Sequence, residues 1–309
     1  MSLTYKYDSL EAAAKVGNSL HANVVRGDCP CRCVHCPVGL TPPAERGAKF
    51  GSRHMSLPTF KLIVGQLSEL PDFTLRLHGV GEPLRWKHLR ESLGTVKTAP
   101  MRSVIFTSGI GPQDLLADVV RSFDIVEVSV NSFNREHYLA TKGVDAFDQV
   151  LSNMEFMRKV IRQEKLSTKI IASKVGDGTD AEFVQYWNES GIVDDAFARV
   201  YHSFTGLIGE RGGNPNGRLQ PCIVPWKRLN VDYDGKVVVC FDELFKESVP
   251  SEDIIMGDVR KQTLKEIFNG ERFESVRAAH MAMSRGQPFD RAVAGPCATC
   301  RRRNFMEFL

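Results

Sequence analysis

Three cysteines near the start of the sequence have the spacing of ligands to an iron–sulfur cluster. Cys29, Cys33 and Cys36 form the pattern C-x3-C-x2-C within one short segment. Three thiolates on one loop can hold three irons of a [4Fe–4S] cube and leave the fourth iron open. A cluster that only carries electrons normally has a fourth cysteine ligand. The pattern therefore predicts a cluster whose open iron binds a substrate or a cofactor.

Zinc and disulfide bonds are the alternative uses of these cysteines. Zinc sites favour paired C-x2-C units, and a second such pair exists at Cys297 and Cys300, so spacing alone leaves zinc open. Disulfides are disfavoured because the segment from Met1 to Ala12 has charged residues and no apolar core, unlike a secretion signal. Eight cysteines in 309 residues without such a signal predict a reducing, cytoplasmic location and metal or redox use.

The composition is that of a soluble globular protein with a sizeable core. Hydrophobic residues make up 42% of the chain and charged residues 25%. The net charge of +3 is too small to indicate nucleic-acid binding. No apolar run is long enough to cross a bilayer, so we expect no membrane partner.

Short β-rich runs alternate with longer helical patterns over the first two thirds of the chain. This alternation predicts βαβ units, a parallel sheet and an α/β fold, namely a partial (β/α)6 barrel like that of triosephosphate isomerase (TIM). Functional sites in such folds lie at the C-terminal ends of the strands, where the first strand would place the cysteine loop. The predicted strands are 22–25, 74–78, 103–107, 125–130, 169–173 and 198–202, and the predicted helices are 58–70, 113–122, 146–164 and 181–190.

The character of the sequence changes after residue 205. The segment from Gly206 to Gly217 has five glycines, which predicts a loop or domain junction. We therefore divide the chain into a barrel domain at residues 1–205 and a small C-terminal domain at residues 206–309. In the second domain, Asp234-Gly235 predicts a hairpin between strands 228–233 and 236–241, and a helix is predicted at 263–282.

The ordered motifs of the first domain resemble the radical S-adenosylmethionine (SAM) superfamily. The cysteine loop is followed by a strand that ends in His78-Gly79-Val80-Gly81-Glu82-Pro83-Leu84, similar to the G-G-E-P turn of that family. Further matches are His35 before the last cysteine, Met55-Ser56-Leu57, Thr107-Ser108-Gly109 and Val128-Ser129-Val130-Asn131.

This resemblance implies a SAM-binding cluster on Cys29, Cys33 and Cys36. It also implies that SAM contacts the turn and the strand ends, namely His35, Gly79, Val80, Gly81, Glu82, Ser108, Ser129 and Asn131. Two structural alternatives remain. Glu82 could cap a helix, and Ser129 and Asn131 could be ordinary polar residues at a strand end.

The C-terminal domain resembles the twitch module, a short form of the SPASM auxiliary-cluster domain. Its four cysteines, Cys222, Cys240, Cys297 and Cys300, imply a second, fully ligated [4Fe–4S] cluster, with zinc as the alternative. The longer SPASM form of peptide-modifying enzymes has more cysteines and is preceded by a peptide-binding domain. Only 28 residues precede Cys29, so we expect a small-molecule substrate.

The motifs around the second cysteine set resemble radical SAM dehydrogenases of aminoglycoside pathways, including that of butirosin. We therefore predict oxidation of a secondary alcohol of a sugar, aminoglycoside or aminocyclitol, with flavodoxin or ferredoxin as reductant. The candidate substrate residues are Arg211, Asp242, Glu243 and His202. An epimerase that uses Cys31 as hydrogen donor, a peptide-modifying enzyme and a non-catalytic metal protein are the alternatives. The oligomeric state is not predicted.

Overall fold

One twisted sheet organises the fold. The computed structural model describes residues 18–70, 72–199, 201, 203–204, 206–209, 222–246, 248–293 and 295–300. Within these residues, ten strands form the sheet: β1 (Asn18–Arg26), β2 (Arg53–His54), β3 (Phe73–Val80), β4 (Ser103–Thr107), β5 (Ile125–Val128), β6 (Lys169–Val175), β7 (Asp195–Arg199), β8 (Arg228–Val231), β9 (Lys236–Val238) and β10 (Ile255–Asp258).

The strand order shows an open barrel. The sheet runs β10-β9-β8-β1-β3-β4-β5-β6-β7, and β2 pairs with β1 at its side. All neighbours from β8 to β7 along this path are parallel, whereas β9 and β10 are antiparallel additions. In the described residues β7 does not pair with β10, so the sheet is not closed. The predicted α/β fold with a partial parallel barrel is confirmed.

Helices follow most of the strands and cover one face of the sheet. They are α1 (Pro37–Leu40), α2 (Pro43–Phe50), α3 (Leu57–Leu67), α4 (Leu89–Thr98), α5 (Gln113–Val120), α6 (Arg135–Lys142), α7 (Phe147–Glu164), α8 (Asp180–Glu189), α9 (Val224–Lys227), α10 (Leu264–Phe268), α11 (Glu271–Ser284) and α12 (Gly295–Thr299). None of the helices in the described part of the chain is long and apolar enough to span a membrane.

The hydrophobic core lies between the helices and the outer face of the sheet. Alternate residues of each strand point to opposite faces. On the outer face these residues are apolar and fully or almost fully buried, for example Leu20, Leu75, Ile105, Val126 and Ile170. The inner face carries the intervening positions, which include charged and aromatic residues such as Arg76, Glu127 and Phe106.

Most predicted elements differ from the observed ones by a few residues at their ends, and two differ more. The strand predicted at 198–202 lies at Asp195–Arg199, because Asp194 and Ile170 exchange hydrogen bonds that begin the pairing with β6. The helix predicted at 263–282 is two helices, α10 and α11, separated at Gly270. A side chain at position 270 would approach the carbonyl oxygen of Glu266 to 2.8 Å, so glycine permits this break.

The predicted C-terminal hairpin is confirmed and adds to the barrel sheet. Strands β8 and β9 flank Asp234-Gly235, and Gly235 has a φ of 87°. Strand β8 also pairs in parallel with β1, so Leu20 lies beside Leu229. The C-terminal strands therefore extend the sheet of the barrel. The division of the chain at residues 205 and 206 remains a prediction.

Candidate active site

The cysteine loop leaves the C-terminal end of β1 and is held by the end of α6. The backbone N–H groups of Arg32 and Val34 donate to the carbonyl oxygens of Lys142 (2.8 Å) and Thr141 (3.0 Å). The loop ends at Cys36, which is the N-cap residue of α1 and makes no side-chain capping bond. These contacts fix the loop at the end of the barrel where sites of this architecture lie.

One buried arginine shapes the loop from its other side. The Arg46 guanidinium donates to the carbonyl oxygens of Cys29 (2.6 Å), Cys31 (3.0 Å) and Thr41 (3.0 Å). Its planar group can bind several carbonyls at once, which a lysine could not do in the same geometry. Arg46 is a positioning residue for the cysteines that the sequence did not single out.

Two glycines allow other backbone segments to contact the loop. A side chain at Gly39 in α1 would overlap the amide nitrogen and the carbonyl oxygen of Cys33. Gly143 ends α6 with a φ of 65°, and a side chain there would come within 2.7 Å of the Arg32 carbonyl oxygen. The loop is therefore enclosed by backbone on both sides.

The thiols of the loop interact with one another and with a buried lysine. Contact with Cys31 and burial raise the pKa of Cys29 and Cys33, whereas hydrogen bonds from these two thiols hold the pKa of Cys31 well below its usual range. Burial opposes the charge of Lys142, but the nearby cysteines raise its pKa. Its ammonium group also donates to the Ser129 carbonyl oxygen at 2.7 Å. The buried ammonium group of Lys142 lies near the loop cysteines, where it would offset the negative charge of a thiolate-ligated cluster.

The donor set of the loop fits an iron–sulfur cluster. Its three spaced cysteines are all thiol donors, the usual ligands of such clusters, and each can bind a different iron of a cubane. The loop of Cys29, Cys33 and Cys36 therefore fits the predicted cluster.

The Gly79–Glu82 turn packs directly against the start of the cysteine loop. The N–H of Gly27 donates to the Val80 carbonyl (2.8 Å), and the N–H of Glu82 donates to the Asp28 carbonyl (2.7 Å). A side chain at Gly81 would come within 2.6 Å of that same Asp28 oxygen. The turn and the loop thus form one unit at the barrel mouth.

The Glu82 carboxylate has structural partners. It caps the short 3-10 helix Pro83–Arg85 by accepting the N–H of Leu84 at 3.1 Å. It also accepts the Thr107 hydroxyl (2.7 Å) and the Ser108 N–H (2.8 Å), which joins the ends of β3 and β4. Burial raises its pKa. The capping role considered from the sequence is present, and a contact to SAM remains a prediction.

The other predicted SAM contacts lie around the same strand ends. The Asn131 amide donates to Ser129, its carbonyl oxygen accepts the N–H of Val175 at 2.8 Å, and its φ is 60°. Asn131 therefore joins the ends of β5 and β6, as an ordinary strand-end polar residue would. Ser108 is buried at the end of β4, and His35 is half-buried in the cysteine loop. Their binding roles remain predictions.

The C-terminal cysteines lie on three short elements that α11 and a 3-10 turn hold in place. Cys222 precedes α9, and its N–H donates to His280 Nδ1 at 3.3 Å. Cys240 is the N-cap residue of the 3-10 helix Phe241–Phe245. Cys297 lies within α12 and Cys300 follows it, and the start of α12 is fixed by a 3.0 Å bond from the Gly295 N–H to Asp253. All four cysteines are half-buried.

The predicted substrate residues have different positions. Asp242 and Glu243 are buried in the 3-10 helix after Cys240, and Glu243 forms a 2.8 Å ion pair with Lys246. Asp242 lies close enough to His78 for its carboxylate to raise the pKa of that histidine. His202 and Arg211 lie outside the described residues. The structure therefore brings Asp242 to the barrel interior, and the roles of all four remain predictions.

The sequence analysis missed a set of charged and aromatic residues on the interior face. The strand register places Arg76 beside His21 and Glu127 beside Phe106, on the same face of the sheet. Arg199 continues this face on β7 and forms an ion pair with Glu127, which also accepts the Ser173 hydroxyl at 2.7 Å. Polar residues at every second position of a strand were the available signal.

The two interior histidines are neutral. Burial and then the guanidiniums of Arg199 and Arg76 lower the pKa of His78 to about 3, against an opposing effect of Asp242. Burial also lowers the pKa of His21 well below its usual value. The rings of the two histidines lie 6.1 Å apart, and the Phe241 ring packs against His78 at 4.6 Å. The segment after Cys240 therefore contacts the interior face directly.

Comparison with known proteins agrees with this architecture. Residues 222–301 match the SPASM family, an iron–sulfur cluster-binding domain. This match favours a cluster over zinc for the four C-terminal cysteines. No curated protein matches the sequence significantly.

Three solved structures share the fold over most of the chain. BtrN in complex with AdoMet and 2-DOIA has 18% identity and a TM-score of 0.55, and covers 93% of both chains. Native anSMEcpe with bound AdoMet has 16% identity, a TM-score of 0.58 and coverage of 85% of this chain and 83% of its own. SuiB of Streptococcus suis bound to its precursor peptide SuiA has 12% identity, a TM-score of 0.66 and coverage of 87% and 69%.

These proteins are radical SAM enzymes, and at such identities the likeness establishes a shared fold. The predicted resemblance to radical SAM enzymes with a C-terminal SPASM-type domain is confirmed.

Proposed function

We propose that this protein, which has the radical SAM fold and a SPASM-type cluster-binding domain, oxidises a secondary alcohol of a sugar, aminoglycoside or aminocyclitol to a ketone. The observation that carries this proposal is the convergence of two features at the barrel mouth. The start of the cysteine loop and the Gly79–Glu82 turn are joined by backbone hydrogen bonds at Val80 and at Glu82. The SPASM-type domain then adds a second cluster site next to the interior face.

Cys29, Cys33 and Cys36 would hold the first cluster, and the turn, Ser108, Ser129, Asn131 and His35 would hold SAM. When bound, SAM and this cluster supply a 5′-deoxyadenosyl radical after reduction by flavodoxin or ferredoxin. Lys142 offsets the negative charge of the thiolates from within the protein. Arg46 and Gly39 keep the loop in the conformation that presents the three thiols.

Oxidation of a carbinol to a ketone releases one hydrogen atom, one proton and one electron. The deoxyadenosyl group would take the hydrogen atom, and Cys222, Cys240, Cys297 and Cys300 would hold an auxiliary cluster able to accept the electron. We assign the proton to Asp242, because neutral His78 has a pKa of about 3 and is a poor proton acceptor at neutral pH. Asp242 lies two residues after Cys240, so the base and the electron acceptor are neighbours.

The likeness to BtrN supports a small-molecule substrate. The match to BtrN, which was solved with 2-DOIA, covers 93% of each chain. The match to SuiB, which was solved with a peptide, covers only 69% of the SuiB chain. Peptide modification is therefore the weaker proposal.

Formation of 5′-deoxyadenosine tests the proposed chemistry. Anaerobically reconstituted and reduced protein should convert SAM to 5′-deoxyadenosine, measured by chromatography. The Cys33→Ala variant should lose at least about 99% of this activity, since a cluster ligand is missing. The Cys31→Ala variant is the matched control and should retain it, because Cys31 is outside both ligand sets. A non-catalytic metal protein would give no deoxyadenosine with any variant, which would contradict the proposal.

Deuterated buffer separates oxidation from epimerisation. An epimerase with an exchangeable thiol donor would leave deuterium at an inverted carbon, whereas oxidation gives a carbonyl product without a labelled isomer. Cys31 is buried in the cluster loop between Cys29 and Cys33, so its thiol is not available on the opposite face of a substrate. We therefore expect a ketone product by mass spectrometry. A deuterated isomer would instead establish the epimerase.

A further inference from the structure

Three buried nitrogen atoms on the interior face have no hydrogen-bond partner in the described part of the chain. They are Nε2 of His21, Nε of Arg76 and Nδ1 of His78. A buried polar group without a partner costs about 1–3 kcal/mol, so such groups are rare unless a ligand or water satisfies them. Three of them in one place indicate a binding site.

The three side chains lie close together on neighbouring strands. His21 and Arg76 are register partners on β1 and β3, and His78 follows Arg76 on the same face. The Phe106 ring connects them from β4, since it lies 5.0 Å from the His78 ring and 5.7 Å from the Arg76 guanidinium carbon. The result is a compact site in the barrel interior.

Guanidinium groups outnumber carboxylates at this site, since Arg76, Arg199 and Arg228 act on it against Glu127 and Asp242. Among the described residues, no carboxylate forms an ion pair with Arg76, whereas the neighbouring Arg199 is paired with Glu127. Arg76 is half-buried as a residue and its Nε is buried, so its charge is only partly solvated. Arg228 on β8 also faces the interior and acts electrostatically on both histidines. A guanidinium in these surroundings favours an anionic oxygen group over an ammonium group.

We propose that Arg76, together with His21 and His78, binds an anionic oxygen group of the substrate, a phosphate or a carboxylate. This inference rests on the proposed function and narrows its substrate class to anionic sugars or polyols, with cationic aminocyclitols excluded. Arg76 lies two residues deeper in β3 than His78, a distance of about 7 Å at the rise of a strand. If the anionic group binds at Arg76, the rest of a hexose-sized molecule can extend to Asp242 and the Gly79–Glu82 turn.

Binding of charged and uncharged hexoses tests the inference without any catalytic readout. Isothermal titration calorimetry of the reconstituted full chain with glucose 6-phosphate, glucuronate, glucose and glucosamine should show binding of at least one anionic probe. We expect that probe to bind about tenfold or more tightly than glucose and glucosamine. The first two probes distinguish a phosphate site from a carboxylate site. Equal affinities for all four probes, or no binding of either anion, would overturn the inference.

Variants locate the site. Arg76→Gln should weaken binding of the anionic probe about tenfold or more, and Arg76→Lys should restore part of it by restoring the charge. Arg121→Gln, on the exposed surface, is the matched control and should change nothing. The titrations should give the same result with SAM present, and loss of anion binding on adding SAM would assign the site to SAM and overturn the inference.

Failure of the anion-site inference can be distinguished from failure of the proposed function. If the protein forms deoxyadenosine but has no preference for anions, this inference fails alone. If it prefers anions but forms no deoxyadenosine, the proposed function fails alone.

Discussion

Replacing Asp232 with alanine should lower the free energy of unfolding by about 3–5 kcal/mol, because it leaves a buried arginine without its counter-charge. Arg26 and Asp232 form a 2.6 Å ion pair in which both side chains are fully buried. Arg26 also donates to the carbonyl oxygens of Phe50 (2.9 Å) and Leu244 (2.6 Å). The pair therefore ties the end of β1 to α2 and to the C-terminal hairpin.

The same network reaches the turn beside the cysteine loop. The Asn23 amide donates to Asp232 at 2.7 Å, and its carbonyl oxygen accepts the Val80 N–H at 2.8 Å. Loss of Asp232 thus removes the group that orients Asn23, whose carbonyl oxygen fixes the Gly79–Glu82 turn. We expect weaker SAM binding in the variant in addition to lower stability.

Urea unfolding followed by circular dichroism measures this effect. The control is Glu164→Ala, which removes a bidentate but exposed pair with Arg121, and it should cost about 0–1 kcal/mol. A loss for Asp232→Ala as small as that of the control would show that the buried pair does not hold the two parts of the sheet together.

Replacing Gly39 with alanine should prevent assembly of the SAM-binding cluster while the auxiliary cluster remains. The added methyl group would overlap backbone atoms of Cys33, and backbone cannot move aside as a flexible side chain can. The loop would have to shift, and the three thiols would lose their arrangement. We expect iron content to fall from about eight to about four atoms per chain.

Gly65→Ala is the matched control, since Gly65 lies in α3 with open space around its Cα. The control should keep its full iron content and gain slightly in helix stability, by about 0.5–1 kcal/mol. Full iron content and normal deoxyadenosine formation in Gly39→Ala would show that the contact between α1 and the loop is not needed for assembly.

The sequence predicted the features that follow from local patterns. Short apolar runs predicted the strands, an apolar period of helical type predicted the long helix α7, and the cysteine spacing predicted the position of the loop. The Asp234-Gly235 turn predicted the hairpin, because such a turn needs a residue that tolerates positive φ. Each of these predictions depends on residues close together in the chain.

The features that the sequence did not predict arise from contacts between distant segments. Arg46 donates to the carbonyl oxygens of Cys29 and Cys31, and Lys142 acts electrostatically on the thiols of the loop from α6. The interior position of Arg76 and Arg199 depends on the register of several parallel strands. Pairing of β8 with β1 joins residues about 200 positions apart, which no local pattern indicates.

The central claim is that one cluster has an iron free to bind SAM. Electron paramagnetic resonance of the reduced protein, recorded with and without SAM, tests it most directly. We predict two cluster signals, of which one changes on adding SAM, and that the responsive signal is lost in the triple variant Cys29→Ala, Cys33→Ala, Cys36→Ala. A spectrum that does not respond to SAM, or a response that survives in the triple variant, would contradict the account.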